Sequence, residues 1–315
     1  MAAATAEPAA LALGPARTGK PGLTEAEIAG LIERELGSKP LHLHHLPEGL
    51  DSQAFGFEQS GKRLVLRVRT RGEGFQKEAM LQRRLASPAL PIPAVIAWGA
   101  AAPGRYFCIS EHAVGVTLGD SDETTVIATL DATIDVLAAI HTAAIDWTAG
   151  FGVLDAHGRA PFRIWAEHLR ALGAGAEQAL GVVLGDNAQM LLRRYHALIH
   201  ECPEERALVH RDFGSNNVLT DGVGITAVLD WDATGCGDLL YDVGTALFWR
   251  TWLTCFDRLY ERCRVRLGHL PAFSPRVLTY ALAVGFAEVA SSAADGDDRQ
   301  VNWDARRCIE LLDQA

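Results

Sequence analysis

The chain has 315 residues, of which 49% are hydrophobic and 22% charged, so it is long enough for one large or two ordinary domains and cannot be a disordered, collagen-like or coiled-coil protein. Asp and Glu outnumber Lys and Arg by 39 to 29, which gives a formal net charge of -10. Because this charge repels phosphate backbones and attracts cations, no nucleic acid partner is expected.

The start of the chain and the cysteines bear on where the protein works. Residues 1–22 are rich in alanine and lack a basic stretch before the apolar run, which predicts a flexible tail rather than a signal peptide. No run of about 18 apolar residues lacks a charge or a helix breaker, so we expect no membrane partner. The six cysteines contain no C-x-x-C pair, which is typical of a protein in a reducing cytoplasm.

A small lobe of mixed structure is predicted for residues 23–112. Thr24 and Glu27 have the spacing of a capping box, and the apolar residues that follow lie on one helical face as far as Gly37. Short β-like runs come next, interrupted by a helix at about 75–86. The clearest of these runs are Ala54–Phe57, Leu64–Arg69 and Tyr106–Ser110.

Residues 113–315 are predicted to form a larger, mostly helical lobe. Apolar residues repeat at three- and four-residue spacing from Val126 to His141 and from Phe162 to Leu169. One β island interrupts the helices, and its Asp221-Gly222 turn indicates a hairpin. The two strands of the hairpin are predicted at Val218–Thr220 and Ile225–Leu229. The fold class predicted from both halves is α+β with two lobes.

The most informative motif runs from His210 to Asn217 and reads H-R-D-x-x-x-x-N, with Asp230 thirteen residues beyond it. Phosphoryl transfer needs an Asp that orients or deprotonates the attacking hydroxyl, and an Asn and a second Asp that hold Mg²⁺ on the nucleotide. Asp212, Asn217 and Asp230 would fill these roles. The competing interpretation is that each is only a cap or turn former, as Asp and Asn often are.

The hairpin would bring the two predicted metal ligands together. Pairing Thr220 with Ile225 sets the register across the turn. That register puts Asn217 opposite Val228 and Asp230 on the neighbouring diagonal, within reach of a shared ion. An amide oxygen and a carboxylate suit Mg²⁺, which fills the rest of its shell with water and phosphate oxygens.

The N-terminal lobe is expected to hold the nucleotide. Alternation along Lys62–Arg69 puts the apolar residues on one face and Arg67 on the other. Kinases hold the nucleotide phosphates with a Lys at this position, paired with a Glu of the next helix. Arg67 with Glu78 is therefore predicted as the equivalent pair, with Glu73 as a rival partner. The alternative is a basic strand face in solvent beside a surface Glu.

Two further segments are predicted to contact the nucleotide. Ser52 lies in a stretch, residues 48–55, where a phosphate-covering hairpin belongs, although a turn with one glycine needs no ligand. Ser110 and His112 lie where the chain leaves the last predicted strand of this lobe. An extended backbone there could pair with the edge of an adenine ring.

Several segments carry a resemblance to a known family. They are Ser52–Phe57, Val65–Val68, Ala89–Pro93, Cys108–Ser110, Gly115–Leu118, His210–Asp221, Ile225–Trp231, Gly237-Asp238 and Phe248–Arg250. In their order and spacing, over roughly residues 40 to 255, the chain resembles the aminoglycoside phosphotransferases. The resemblance implies a bilobal protein-kinase-like fold. It also implies transfer of the γ-phosphoryl group of ATP or GTP to a hydroxyl of a cationic aminocyclitol antibiotic, with hygromycin B as the expected acceptor.

The resemblance also implies roles for individual residues. The family's catalytic Asp corresponds to Asp212, and its magnesium ligands correspond to Asn217 and Asp230. Trp249 and Trp252 lie in the stretch that lines the family's antibiotic pocket, where they would either stack on a sugar ring or serve as core aromatics of a helix.

Neighbouring residues are expected to support these. His210 is expected to orient the catalytic loop, and Asp238 and Asp242 are expected to be structural, as carboxylates that brace that loop in kinase-like folds. Arg211 departs from the small residue found there in the most similar family members, which is expected to change the packing of the loop.

Two other functions remain open at this point. The catalytic residues do not identify the acceptor, so the chain could be a kinase of another small alcohol such as a macrolide, choline or a sugar. It could also be a pseudokinase that binds nucleotide without turnover. The presence of Asp212, Asn217 and Asp230 together argues against the pseudokinase.

Overall fold

The computed structural model describes residues 21–46 and 52–314. Residues 1–20 of the predicted tail and residues 48–51 of the predicted phosphate hairpin lie outside the described residues. Pro21, which belongs to the predicted tail, accepts a hydrogen bond from Arg105 Nε at 2.7 Å through its carbonyl oxygen. The end of the tail is therefore attached to the N-terminal sheet.

An antiparallel five-stranded sheet with a helix on one face forms the smaller lobe. Its elements are α1 (Glu25–Leu36), β1 (Leu41–His45), β2 (Ser52–Gln59), β3 (Lys62–Arg69), α2 (Glu73–Leu85), β4 (Val95–Ala102) and β5 (Arg105–Glu111). The strand order is β1-β2-β3-β5-β4. Ile28, Leu31 and Ile32 of α1 pack against apolar side chains of the sheet, including Phe57 and Ile109.

The sequence predicts most of this lobe correctly. The Thr24 hydroxyl accepts from the Glu27 amide, the Glu27 carboxylate accepts from the Thr24 amide at 2.8 Å, and Gly37 ends the helix with φ 80°. The helix predicted at about 75–86 is α2, which spans Glu73–Leu85. Strand β4 was not predicted, because Ala and Gly make up five of its eight residues and dilute the strand formers Val95, Ile96 and Trp98. It forms as an edge strand paired with β5.

The larger lobe is built mainly from helices. Its elements are β6 (Val116–Thr117), α3 (Glu123–His141), β7 (Gly152–Val153), α4 (Trp165–Leu184), α5 (Asp186–Leu198), β8 (Ala207–Val209), β9 (Val218–Thr220), β10 (Ile225–Val228), β11 (Gly235–Gly237), α6 (Leu240–Trp249), α7 (Thr254–Leu267), α8 (Phe273–Asp295) and α9 (Asp298–Asp313). Two small sheets have the orders β10-β9-β6 and β7-β11-β8. The predicted helical repeat starting at Phe162 is wrong at its beginning, since Phe162 is extended and pairs with Phe151.

Two helices, α3 and α8, are long and apolar enough to cross a membrane by length and composition alone. Of the apolar window in α8, 72% is buried inside the protein, where the helix packs against α4, α6 and α9. Helix α3 packs against α7. The apolar character of α8 is therefore that of a central core helix.

Helix α2 connects the two lobes. Its Leu81 belongs to the large apolar core of the helical lobe, as do Leu90 and Ile92 just after it. The core between α1 and the sheet is a separate cluster. Movement of α2 would therefore change the packing on both sides of the lobe junction.

Candidate functional site

The loop that follows β8 carries the H-R-D motif and is held by a buried carboxylate. Asp242, in the first turn of α6, accepts hydrogen bonds from the backbone amides of His210 at 3.1 Å and Arg211 at 2.6 Å. His141 Nε2 lies 2.9 Å from the same carboxylate. Arg211 has φ 73°, a conformation that costs free energy in a residue with a side chain. The predicted structural role of Asp242 is thus confirmed.

His210 links this loop to the strand end that carries Asp230. Its Nε2 donates to the carbonyl oxygen of Leu229 at 3.1 Å, and its ring meets Trp231 edge to face. Burial lowers the pKa of His210, although Asp242 opposes the shift. A buried, neutral imidazole in this position orients the loop, as predicted.

Arg211 fills the space behind the loop. Its guanidinium donates to His168 Nε2 at 2.9 Å and lies 4.4 Å from the ring centre of Tyr241. Burial, with the charge of Arg211, lowers the pKa of His168 well below its ordinary value, so His168 is neutral and accepts the hydrogen bond. Arg211 therefore supports the loop from behind through His168 and Tyr241.

Asp212 and Asn217 form a hydrogen-bonded pair. The Asn217 Nδ2 group donates to the Asp212 carboxylate at 2.7 Å and to the Asp212 carbonyl oxygen at 2.9 Å. The amide oxygen of Asn217 is therefore the atom available to a cation. Asp212 is open to solvent, but the surrounding protein limits its hydration. This desolvation, together with the charge of Asp230, raises the pKa of Asp212 to about 7 against the opposing effect of Asn217.

Asp230 lies closer to Asn217 along the hairpin than the sequence predicted. Thr220 pairs with Ile225 as expected, but a bulge in β10 shifts the register, so Val228 faces Val218. The predicted pairing of Asn217 with Val228 is therefore wrong. The Leu229 amide instead donates to the Asn217 carbonyl oxygen at 2.8 Å. Asp230 therefore directly follows the residue that pairs with Asn217. Asp230 has φ 55°, so its position depends on the surrounding contacts.

The predicted pair on the N-terminal lobe is formed. Arg67 on β3 makes an ion pair with Glu78 on α2, with 17% and 9% of the two side chains exposed. Burial disfavours the charge of Arg67, but Glu78 outweighs it and the pKa of Arg67 is raised. The rival, Glu73, is exposed. Alternation along β3 indicated the correct face, and the helical spacing of α2 decides between the two glutamates.

Three residues at the lobe junction were not singled out from the sequence. Arg69 makes an ion pair with Asp232 and lies 3.7 Å from the Asp230 carboxylate. Lys77 Nζ donates to the carbonyl oxygens of Asp232 at 2.7 Å and Thr234 at 2.8 Å. Burial lowers the pKa of Lys77 to about 7, although Asp232 opposes the shift. The available signals were weak: Asp232 is two residues from Asp230, and Arg69 shares the strand face of Arg67.

Comparison with known proteins identifies the family. The model of the phosphotransferase enzyme family matches residues 42–274. The hygromycin-B 4-O-kinase of Escherichia coli is 36% identical over 300 residues, which are 93% of this chain and 86% of that enzyme. The chain belongs to the phosphotransferase enzyme family.

Solved structures confirm the fold of this phosphotransferase. The crystal structure of aminoglycoside phosphotransferase APH(4)-Ia is 34% identical, with a TM-score of 0.85 over 93% of this chain and 99% of that chain. A thermostable mutant of that enzyme in a ternary complex with AMP-PNP and hygromycin B has a TM-score of 0.84 at 34% identity, over 91% of this chain and 98% of that chain. The predicted bilobal protein-kinase-like fold is thus confirmed.

The predicted nucleotide contacts of the phosphotransferase lie along the sheet. Ser52 begins β2 opposite Arg69 and is buried. Ser110 is buried in β5 between β3 and β4. The His112 amide donates to the Arg63 carbonyl oxygen at 3.1 Å, so it already has a partner within the lobe. An adenine base bound beside Ser110 and His112 would therefore pair with backbone groups of this segment other than the His112 amide.

Trp249 and Trp252 lie together at the end of α6 with a third indole that the sequence did not indicate. Trp249 stacks on Trp303 of α9, with ring centres 5.5 Å apart and an interplanar angle of 10°. Trp252 meets both rings edge to face and is 54% exposed. Trp252 follows the end of α6, so the two tryptophans are not successive turns of one helix. The cluster leaves one aromatic surface open to solvent.

The donor atoms beside Asp212 fit a magnesium ion. Burial raises the pKa of both Asp212 and Asp232, and the charge of Asp230 adds to each shift. The Asn217 amide oxygen and the Asp230 carboxylate are hard ligands of the kind that Mg²⁺ takes from proteins. No cluster of three or more His, Cys, Asp or Glu able to hold a metal occurs within 21–46 and 52–314.

Proposed function

We propose that this phosphotransferase moves the γ-phosphoryl group of ATP to the 4-hydroxyl of hygromycin B and so confers resistance to that antibiotic. The observation that carries the proposal is the Asp212–Asn217 pair beside Asp230, at the junction with Arg67 and Arg69. The names of the relatives support the acceptor, since one is a hygromycin-B 4-O-kinase and another binds AMP-PNP and hygromycin B. AMP-PNP is an adenine nucleotide, which favours ATP over GTP.

Asp212 is the residue that would act on the acceptor. Its carboxylate orients the antibiotic hydroxyl and accepts its proton as the oxygen bonds to the γ-phosphorus and the bond to ADP breaks. In the metal-free protein the pKa of Asp212 is raised, chiefly by burial, so this carboxylate is a stronger base than an ordinary aspartate. Asn217 holds this carboxylate through its amide group.

The remaining residues position the nucleotide and the acceptor. Asn217 and Asp230 would hold Mg²⁺, which when bound neutralises phosphate charge. Arg67, fixed by Glu78, would contact the phosphates, and Ser52, Ser110 and His112 would lie along the rest of the nucleotide. On the acceptor side, Trp252 offers its exposed ring to a sugar, and Trp249 supports it. Positioning and charge compensation would supply most of the rate enhancement.

The free cysteines and the net charge of the protein fit this function. All six cysteines are free, which supports a reducing cytoplasm as the site of action. The net charge of -10 would favour approach of a cationic antibiotic and would act less strongly as salt increases. The two lobes would divide the work, with residues 23–112 holding the nucleotide and 113–315 supplying the catalytic loop and the antibiotic site.

A panel of acceptors tests the proposal. Purified protein with ATP and Mg²⁺ is assayed for nucleotide consumption against hygromycin B, other aminoglycosides, a macrolide, choline and sugars. Turnover with hygromycin B is the expected result. Turnover only with another alcohol would replace the acceptor, and nucleotide binding without any turnover would indicate a pseudokinase.

Asp212→Ala tests the catalytic assignment. Because general base catalysis contributes about 10²–10⁴-fold, we expect kcat to fall by about 10³-fold while AMP-PNP still binds. Loss of both turnover and binding would show damage to the fold, and a thermal unfolding curve separates that case. Retained turnover in a folded variant would refute the assignment.

A further inference from the structure

Lys77 is a buried basic residue that the proposed chemistry does not use. It lies in the second turn of α2 and is 4% exposed. Its ammonium group donates to two carbonyl oxygens, those of Asp232 and Thr234, in the segment between β10 and β11. Because an ammonium group is costly to bury without partners, this contact ties α2 firmly to a segment more than 150 residues away in sequence.

Two other groups of the smaller lobe meet the same segment. Arg69 of β3 makes an ion pair with the Asp232 carboxylate. Gly74, one turn before Lys77, lies directly against that carboxylate, since a Cβ at Gly74 would be 2.2 Å from Asp232 Oδ1. The smaller lobe therefore holds Asp232 at its side chain and at its backbone. Asp232 is two residues beyond Asp230, whose left-handed backbone needs such external support.

The same turn of α2 also carries Glu78, which fixes Arg67. Adjacent residues of one helix thus face two partners: Glu78 holds the guanidinium proposed to contact the phosphates, and Lys77 holds the segment proposed to bear a magnesium ligand. We infer that Lys77 is a positioning residue, which sets the distance between Asp230 and Arg67 by fixing residues 232–234 to α2. This inference rests on the proposed function.

A purely structural role predicts a different outcome from a positioning role. If Lys77 only satisfied two buried carbonyl oxygens, its loss would lower stability and leave the kinetics of the folded fraction unchanged. If it positions Asp230, its loss lowers kcat in folded protein, because displacement of about 1 Å can cost about 10²-fold in rate. Trp252, proposed to contact the antibiotic, belongs neither to α2 nor to residues 232–234, so the KM for hygromycin B should change little.

Lys77→Met tests the inference in the full-length protein, with Arg262→Met as the matched control. Met keeps the length of the side chain and removes the donors, and Arg262 belongs to a surface ion pair with Asp131. For Lys77→Met we expect a 10- to 100-fold lower kcat, a KM for hygromycin B within about twofold, and faster amide hydrogen exchange across residues 229–235. The control should match wild type in all three.

Gly74→Ala is the second variant, since its Cβ would push the Asp232 carboxylate away from the same helix without removing a charge. If Lys77→Met does not fold, a lower kcat with unchanged KM for hygromycin B in Gly74→Ala supports the inference. The inference is overturned if folded Lys77→Met has the kcat and the hydrogen exchange of the wild type. If Lys77→Met is unfolded, a wild-type kcat in Gly74→Ala overturns it. Failure of the proposed function is a separate result, because the wild-type protein would then be inactive on hygromycin B. In that case the kcat ratios are measured with the alcohol that the protein does accept. The hydrogen-exchange measurement needs no acceptor.

Discussion

Ion pairs occur in two regions of this molecule, and their side chains are more deeply buried in one region than in the other. At the lobe junction, the side chains of Arg67, Arg69 and Glu78 are only 9 to 17% exposed, and Asp232, the partner of Arg69, is 37% exposed. On the surface of the larger lobe, α7 is joined to α3 by a row of pairs whose side chains are 41 to 67% exposed. The pairs in this row are Arg258–Glu123, Arg262–Asp131 and Arg266–Asp135.

The same chemistry has different consequences in the two regions. Exposed pairs contribute about 0–1 kcal/mol each, because water screens them and long side chains lose entropy on pairing. At the junction, removing one partner leaves a charge with little access to water, which costs about 3–5 kcal/mol. Charged residues at the junction are therefore held in fixed positions, as residues that contact phosphates need to be, whereas the surface row only fastens two helices.

The largest effect is expected from Glu78→Gln, which leaves Arg67 buried without its carboxylate. We expect the free energy of unfolding to fall by about 3 kcal/mol and kcat/KM for ATP to fall by about 10²-fold. Chemical denaturation and steady-state kinetics measure the two effects. Glu73→Gln, on the exposed side of the same helix, is the control and should change stability by less than about 0.5 kcal/mol. A larger effect of Glu73→Gln would contradict the observed pairing.

An intermediate effect is expected at Asp212, which is open to solvent yet lies among buried charges. Its pKa is raised to about 7, so the folded state binds the proton more tightly than the unfolded state does. The contribution of Asp212 to stability should therefore fall as pH rises from about 4 to about 7, and Asp212→Asn should lack this loss. Above pH 7, without Mg²⁺ or nucleotide, the variant should be more stable by about 1 kcal/mol after allowance for solvent screening.

Thermal or chemical unfolding at several pH values checks this expectation. The stability difference between Asp212→Asn and wild type should grow with pH and then level off. A difference that is constant across the pH range would show that Asp212 has an ordinary pKa in the folded protein.

The smallest effect is expected in the surface row. Arg262→Ala removes one exposed pair and should lower the free energy of unfolding by less than about 1 kcal/mol, with a smaller effect at high salt. Kinetic constants should stay at their wild-type values. A loss as large as that of Glu78→Gln would remove the contrast between the two regions.

Much of the fold and of the site could be predicted from local patterns. The capping box at Thr24, the hairpin turn at Asp221-Gly222 and the alternation that places Arg67 all involve residues a few positions apart. Such patterns act through the local backbone, so they hold wherever the segment lies in the fold. The H-R-D motif belongs to the same class, since its loop and turn are contiguous in sequence.

Other features depend on contacts that no local pattern contains. The edge strand β4 extends through Ala and Gly, which are poor strand formers, because β5 offers it a partner. The bulge in β10 moves Asp230 by one position relative to Asn217, and Trp303 reaches Trp249 from a separate helix. Each results from packing between segments that are distant in sequence or from a backbone irregularity that the residue pattern does not indicate.

The sequence by itself determined the two lobes, the family and the chemical groups at Asp212, Asn217 and Asp230. Only the tertiary structure decided how those groups are held: Asp242 accepts hydrogen bonds from the backbone amides of His210 and Arg211, and Lys77 binds the carbonyl oxygens of Asp232 and Thr234. The reason is physical: a motif fixes side-chain chemistry and local backbone conformation. The position of one lobe against the other is set by a few buried contacts between residues far apart in the chain, whose partners are chosen by the fold as a whole.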